Sequence, residues 1–156
     1  MGAFGTYNNF NPISNVTATK GTNDPELGQT TFYNGADYLY VYSSNEASVG
    51  HAVIMTGTTG YTVSVGTVTN VDIPAGWVQH ATLTTGTYGW IATRGVLKMQ
   101  MSAAASVAIG GLVVAGANGF MNTLIVSGGT VVVQGPAVAR ALSNVASTAS
   151  GYFYVR

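Results

Sequence analysis

The chain has 156 residues, of which only ten are charged, five basic and five acidic, so its formal net charge is zero. Charged side chains make up 6% of it, against about 25% in an ordinary soluble domain. The absence of cysteine excludes disulfides and thiolate chemistry, and so few cations leave little to neutralise nucleic-acid phosphates.

Residues 1–29 are polar, rich in Gly, Asn and Thr, contain Pro12 and Pro25, and follow neither a helical nor a strand period. They predict an extended N-terminal arm, ordered only where another surface lies beneath it. Tyr7 and Phe10 are its candidate interface rings. No basic start followed by an apolar run marks a secretory signal.

Residues 30–156 predict one β domain. Tyr38-Leu-Tyr-Val-Tyr42 is dense in the aromatic and branched residues that suit a pleated surface. Strands are expected at residues 61–65 and 67–73, where large and polar residues alternate. A strand pair joined through Thr84-Thr-Gly86 is expected across residues 78–95, ending at Arg94-Gly95. A further strand at 96–101 then puts Leu97, Met99 and Met101 on one face. The longest apolar stretch, residues 103–117, is broken by Ser106, Gly110, Gly111 and Gly116. It falls short of the ~20 residues that span a bilayer, so no membrane segment is expected. Ser127-Gly-Gly129 suits a hairpin turn, and residues 151–155 read as a closing strand. The alanine-rich runs at 102–108 and 136–147 are too short for stable helices and read as turns or short strands. Many short strands with frequent turns predict an all-β fold, a compact β-barrel or β-sandwich carrying the extended N-terminal arm.

The search for chemistry is thin. His51 and His80 have no three-ligand set with Asp37 or Asp72. There is no nucleophile elbow, and Gly110-Gly-Leu-Val-Val-Ala-Gly116 lacks the pattern of a phosphate loop. The reading is of a protein that is not an enzyme and holds no metal or cofactor. The largest apolar groups, Tyr38, Tyr40, Tyr42, Trp77, Tyr88 and Trp90, are the candidate interface residues of the domain. With Tyr61 they could alternatively form a sugar-stacking platform.

One segment carries a family likeness. Thr84-Thr-Gly86, then Tyr88-Gly-Trp90-Ile91 and Arg94-Gly95, resembles a run found in small head decoration, or cement, proteins of tailed bacteriophages. Similar features follow at the small-residue turn of residues 104–111, at Leu112-Val-Val-Ala-Gly116, and at Pro136-Ala-Val-Ala-Arg-Ala-Leu142. Upstream, Gly28-Gln-Thr-Thr-Phe32 and Asp37-Tyr-Leu-Tyr-Val41 fit the opening strands. The likeness extends over residues 28–155 and departs from the usual glycines at Pro136 and Arg140. It implies a virion protein on the capsid exterior that binds the major capsid protein, commonly as a trimer, and reinforces the assembled head. A tail or fibre subunit and a carbohydrate-binding or adhesive module are the alternatives.

Overall fold

Runs that alternate large apolar residues with small or polar ones become strands along most of the chain. A computed structural model describes residues 16–21, 24–57, 60–65, 73–124, 126–127, 130–131 and 137–156. The expected strand at 67–73 and the candidates Tyr7 and Phe10 lie outside the described residues, save Ile73. The strands are β1 (Thr30–Tyr33), β2 (Ala36–Ser43), β3 (Ala52–Met55), β4 (Thr62–Ser64), β5 (Gly76–Trp77) and β6 (Thr87–Gln100). They continue as β7 (Leu112–Ala115), β8 (Met121–Thr123), β9 (Val126–Ser127), β10 (Thr130–Val131), β11 (Ala139–Ala141) and β12 (Ser150–Val155). Among the described residues the sole helical element is a 3-10 turn at Ala117–Gly119. The protein is all-β.

Five strands close into a barrel. β2 runs parallel to β4, β4 pairs with β3, β3 with β5, β5 with β6, and β6 returns antiparallel to β2. Closure removes the open edges that an exposed sheet would present. A barrel this small is filled by its own side chains; Val41, Val53, Val63, Val78, Leu83 and Ile91 occupy the lumen. β1 forms a hairpin with β2 at its margin.

β6 belongs to two barrels. The sequence predicts a break at Arg94-Gly95, but the strand runs uninterrupted for 14 residues. Gly95 makes this possible: its φ is +114°, and a Cβ there would stand 2.6 Å from the Gly35 carbonyl oxygen. Only glycine lets the strand pass the β1–β2 turn this closely. Residues 78–83, expected as the strand partner of the next segment, form a loop instead. Within it Leu83 pairs with Ala47 rather than with β6. Beyond Gly95, β6 pairs with β12, β12 with β11, β11 with β7, and β7 with β8. A parallel bridge between Met101 and Met121 brings β8 back to the end of β6. Leu97, Met99, Met101, Val113, Met121 and Phe153 fill this second ring. β9 and β10 pair as a short hairpin about residues 127–130, where the glycine turn was expected.

The second ring repeats the strand order of the first and several of its backbone hydrogen bonds. In the first, Ala47 and Leu83 exchange both backbone hydrogen bonds, at 2.8 and 3.0 Å; in the second, Val107 and Val145 do so at 2.9 and 2.8 Å. Gly50 N–H donates to Val78 O and Val78 N–H to His51 O; Gly110 donates to Ala141 and Ala141 to Gly111 in the same way. Ala75 N–H bonds to Val53 O as Val138 N–H bonds to Val113 O. Two glycines lie under the same lid: a Cβ on Gly89 would stand 2.4 Å from Leu83 Cδ2, and one on Gly151 2.2 Å from Val145 Cγ2. The chain is therefore an internal structural repeat in which the last strand of the first unit continues as the first strand of the second.

Candidate interaction surface

The repeat makes the outer faces of the two barrels directly comparable. Register places Leu39 opposite Ile91 in the first lumen and Leu97 opposite Phe153 in the second. The outward-facing pairs beside them are Tyr40–Trp90 and Tyr38–Ala92 in barrel one, Lys98–Tyr152 and Val96–Tyr154 in barrel two. The same positions carry different chemistry.

In barrel one the outer face is aromatic and covered. Tyr40 and Trp90 meet at 5.1 Å between ring centroids, Tyr42 and Tyr88 at 5.1 Å, and Tyr40 and Tyr88 at 6.4 Å. Such cross-strand ring pairs stabilise a sheet by direct contact. The segment before β1 lies against them. Thr17 exchanges two backbone hydrogen bonds with Tyr88, Gly28 N–H donates to Tyr40 O, and Leu27 packs on the main core. Lys20 and Glu26 pair at 2.6 Å across this segment, and Gly21 N–H donates to the Asp24 carboxylate. Burial raises the Tyr40 phenol above its usual pKa.

The sequence-selected aromatics divide accordingly. Tyr38, Tyr40, Trp77 and Trp90 are buried, none more than 5% exposed, and present no ring face to a ligand in the single chain. Tyr42 and Tyr88 are half-buried. Tyr38 stacks on His80 at 5.6 Å and its hydroxyl lies 2.8 Å from His80 Nε2. Burial lowers the pKa of His80, and also that of His51, where a hydrogen bond with Gln100 partly opposes it. Trp77 reaches the other barrel, its Nε1–H donating to Met121 Sδ at 3.5 Å. Gln79 joins the barrels too: its side-chain amide donates to Lys98 O and accepts from Lys98 N–H, both at 2.8 Å, in place of a neighbouring strand. These aromatics hold the barrels together.

The outer face of barrel two is open among the described residues. A row runs across four strands, Val96, Tyr154, Arg140 and Leu112, each opposite the next. Val96 is 53% exposed, Tyr152 60% and Tyr154 44%. Leu142 and Ile109, both exposed, lie at the ends of neighbouring loops. A groove of about 450 Å³ lies beside Arg140, between Leu112, Tyr154 and Arg156. Tyr154 also borders a second hollow of about 250 Å³ with Phe32, Asp37 and Arg94.

The charges are separated along the sequence: all five Asp and Glu side chains lie at or before Asp72, accompanied by Lys20, whereas Arg94, Lys98, Arg140 and Arg156 follow, giving −4 and +4. Arg94 lies in barrel one, opposite Asp37 in the register. Composition read as a whole hides this, because the halves cancel. Sequence reasoning found no cluster of one sign and missed Tyr152, Tyr154, Lys98 and Arg140. The signal was the position of the last acidic residue. No three His, Cys, Asp or Glu side chains gather into a metal site among the described residues. Nor is any helix there long and apolar enough to cross a membrane.

No family model matches the chain, and no curated protein matches it in sequence. Among solved structures it is similar to the N base of the head fiber gp8.5 of bacteriophage phi29. The TM-score is 0.55 at 11% identity, over 76% of this chain and 92% of that one. The likeness is one of fold.

Proposed function

We propose that this chain is a structural protein of a tailed-phage head, a decoration or cement subunit that binds the outside of the assembled shell and reinforces it. The observation that carries the reading is the fold it shares with nearly the whole of a head-fiber base. The decoration-protein likeness around Tyr88-Gly-Trp90 points the same way from sequence.

The physics suits the role. A subunit that binds only the assembled lattice shifts the equilibrium toward assembly by mass action. Repetition over a symmetric shell multiplies a modest contact. The counterpart is the major capsid protein, and a trimer on the capsid exterior is the arrangement we favour. The reading makes the chain a binding protein rather than an enzyme. The structural neighbour favours one second reading, the base of a head fiber.

The test is copy number and effect in purified heads of the phage that encodes the chain. Copies in the hundreds, with heads that melt at lower temperature when the protein is absent, support cement. A few tens of copies with no change in head melting support a fiber base. Absence from the particle overturns both.

A further inference from the structure

We propose that the open outer face of barrel two is the docking surface, and that its counterpart is a protein surface bearing carboxylates on the shell. This rests on the head-protein reading above.

Three observations converge on the face. First, its equivalent in barrel one is buried, with residues 16–21 and 24–29 bonded alongside Tyr40 and Tyr88, whereas among the described residues Val96, Lys98, Tyr152 and Tyr154 are exposed. Second, its apolar groups surround a cation. Arg140 stands between Tyr154 and Leu112 in the register and borders the groove with Arg156. An arginine among aromatic and aliphatic neighbours is the arrangement that dominates binding energy at protein interfaces, since the apolar rim excludes water from the charge.

Third, the charge is one-sided. Lys98, Arg140 and Arg156 form no ion pair within the described residues, where Lys20–Glu26 is the sole salt bridge. No Asp or Glu follows Asp72 in the sequence. These exposed cations are open to an anion brought by another molecule, and a planar carboxylate matches the fork of Arg140 or Arg156. Tyr152, Tyr154, Val96 and Leu112 require a counterpart with apolar surface beside its carboxylates. Duplex DNA offers phosphates without such a surface.

The experiment uses the full chain and emptied heads of the encoding phage stripped of this protein. Lys98→Glu with Arg140→Glu is expected to weaken binding at least about tenfold, and Lys98→Gln with Arg140→Gln less. Glu46→Lys, on barrel one, is expected to change it less than about twofold. Hydroxyl-radical footprinting should show Tyr152 and Tyr154 protected on the heads. Thermal melting of each variant establishes that it is folded. Wild-type binding that the folded charge-reversal variant retains in full overturns the docking face and leaves the head-protein reading standing. Loss of self-association in that variant with head binding unchanged assigns the face to contact between copies, and overturns the proposal. Tight wild-type binding to duplex DNA that the reversal abolishes makes the counterpart phosphate, and also overturns it. Failure of the wild-type protein to bind heads at all removes the head-protein reading itself.

Discussion

The two barrels have one backbone plan and opposite exteriors. Barrel one spends its outer face on Tyr38, Tyr40 and Trp90, all buried, with His80 stacked on Tyr38 and residues 16–21 and 24–29 bonded alongside Tyr40 and Tyr88. Barrel two places Val96, Lys98, Tyr152 and Tyr154 at the corresponding positions and leaves them open. The lumen of a small barrel constrains residues by volume, so both interiors are apolar with little freedom. The outside is not constrained in that way, and a repeated scaffold can therefore be stabilised at one face and made adhesive at the other.

The largest effect expected from this comparison is at its central pair of equivalent residues. Trp90→Ala should cost about 3–5 kcal/mol, as truncation of a buried large aromatic does. Tyr152→Ala should change stability by less than about 0.5 kcal/mol, as an exposed substitution away from special features does. Denaturant melts of the two variants check this. Equal losses would mean that Tyr152 is packed as deeply as Trp90 and that the exteriors do not differ.

Removal of residues 1–22 comes next. It deletes both Thr17–Tyr88 hydrogen bonds and part of the cover over Tyr40, so a loss of about 2 kcal/mol is expected from hydrogen bonds and desolvation alone. A truncated protein with an unchanged melting curve would show that barrel one does not need its cover.

Smaller and symmetric effects are expected at the paired glycines. Gly89→Ala and Gly151→Ala each push a methyl into Leu83 or Val145, an overpacking that costs about 1–3 kcal/mol. Similar losses at both sites would sharpen the repeat. A loss at one alone would break it.

The smallest effect separates the barrels by pH, because both histidines are in residues 51–80, within the first unit. Burial holds the folded pKa of His51 and His80 below the usual 6.5. The unfolded chain therefore binds more protons as pH falls through about 6.5, so stability is full above that value and declines below it. Melting temperatures between pH 7.5 and 5 should fall, and His80→Gln should flatten the decline. A profile as steep in the variant as in the wild type would remove His80 from the effect.

Much of the fold was legible because strands announce themselves locally. The aromatic and branched residues of Tyr38–Tyr42 marked a strand, the alternation at 96–101 put Leu97, Met99 and Met101 on one face, and the structure buries all three. The hairpin about residues 127–130 followed from its glycines. The candidate surface was less legible. Size and aromatic character drew attention to Tyr40 and Trp90, yet those properties favour burial as much as binding. Tyr152 and Tyr154 look the same in sequence, and only the presence or absence of a covering segment tells the two sets apart.

By itself the sequence determined that this chain would be all-β, almost uncharged, and without cysteine for thiolate chemistry, since these follow from composition and short-range period. It also contained the separation of acidic from basic residues, in plain order along the chain. Tertiary structure alone decided that the strands close into two rings, that β6 serves both, and that the rings repeat one another. Strand pairing is a long-range choice: Ala47 finds Leu83 and Val107 finds Val145 through backbone hydrogen bonds that any residue can make. Because such bonds do not depend on side-chain identity, the repeat survives where sequence similarity has faded to a few positions, among them Gly50 and Gly110, Val53 and Val113, and the glycines beneath Leu83 and Val145.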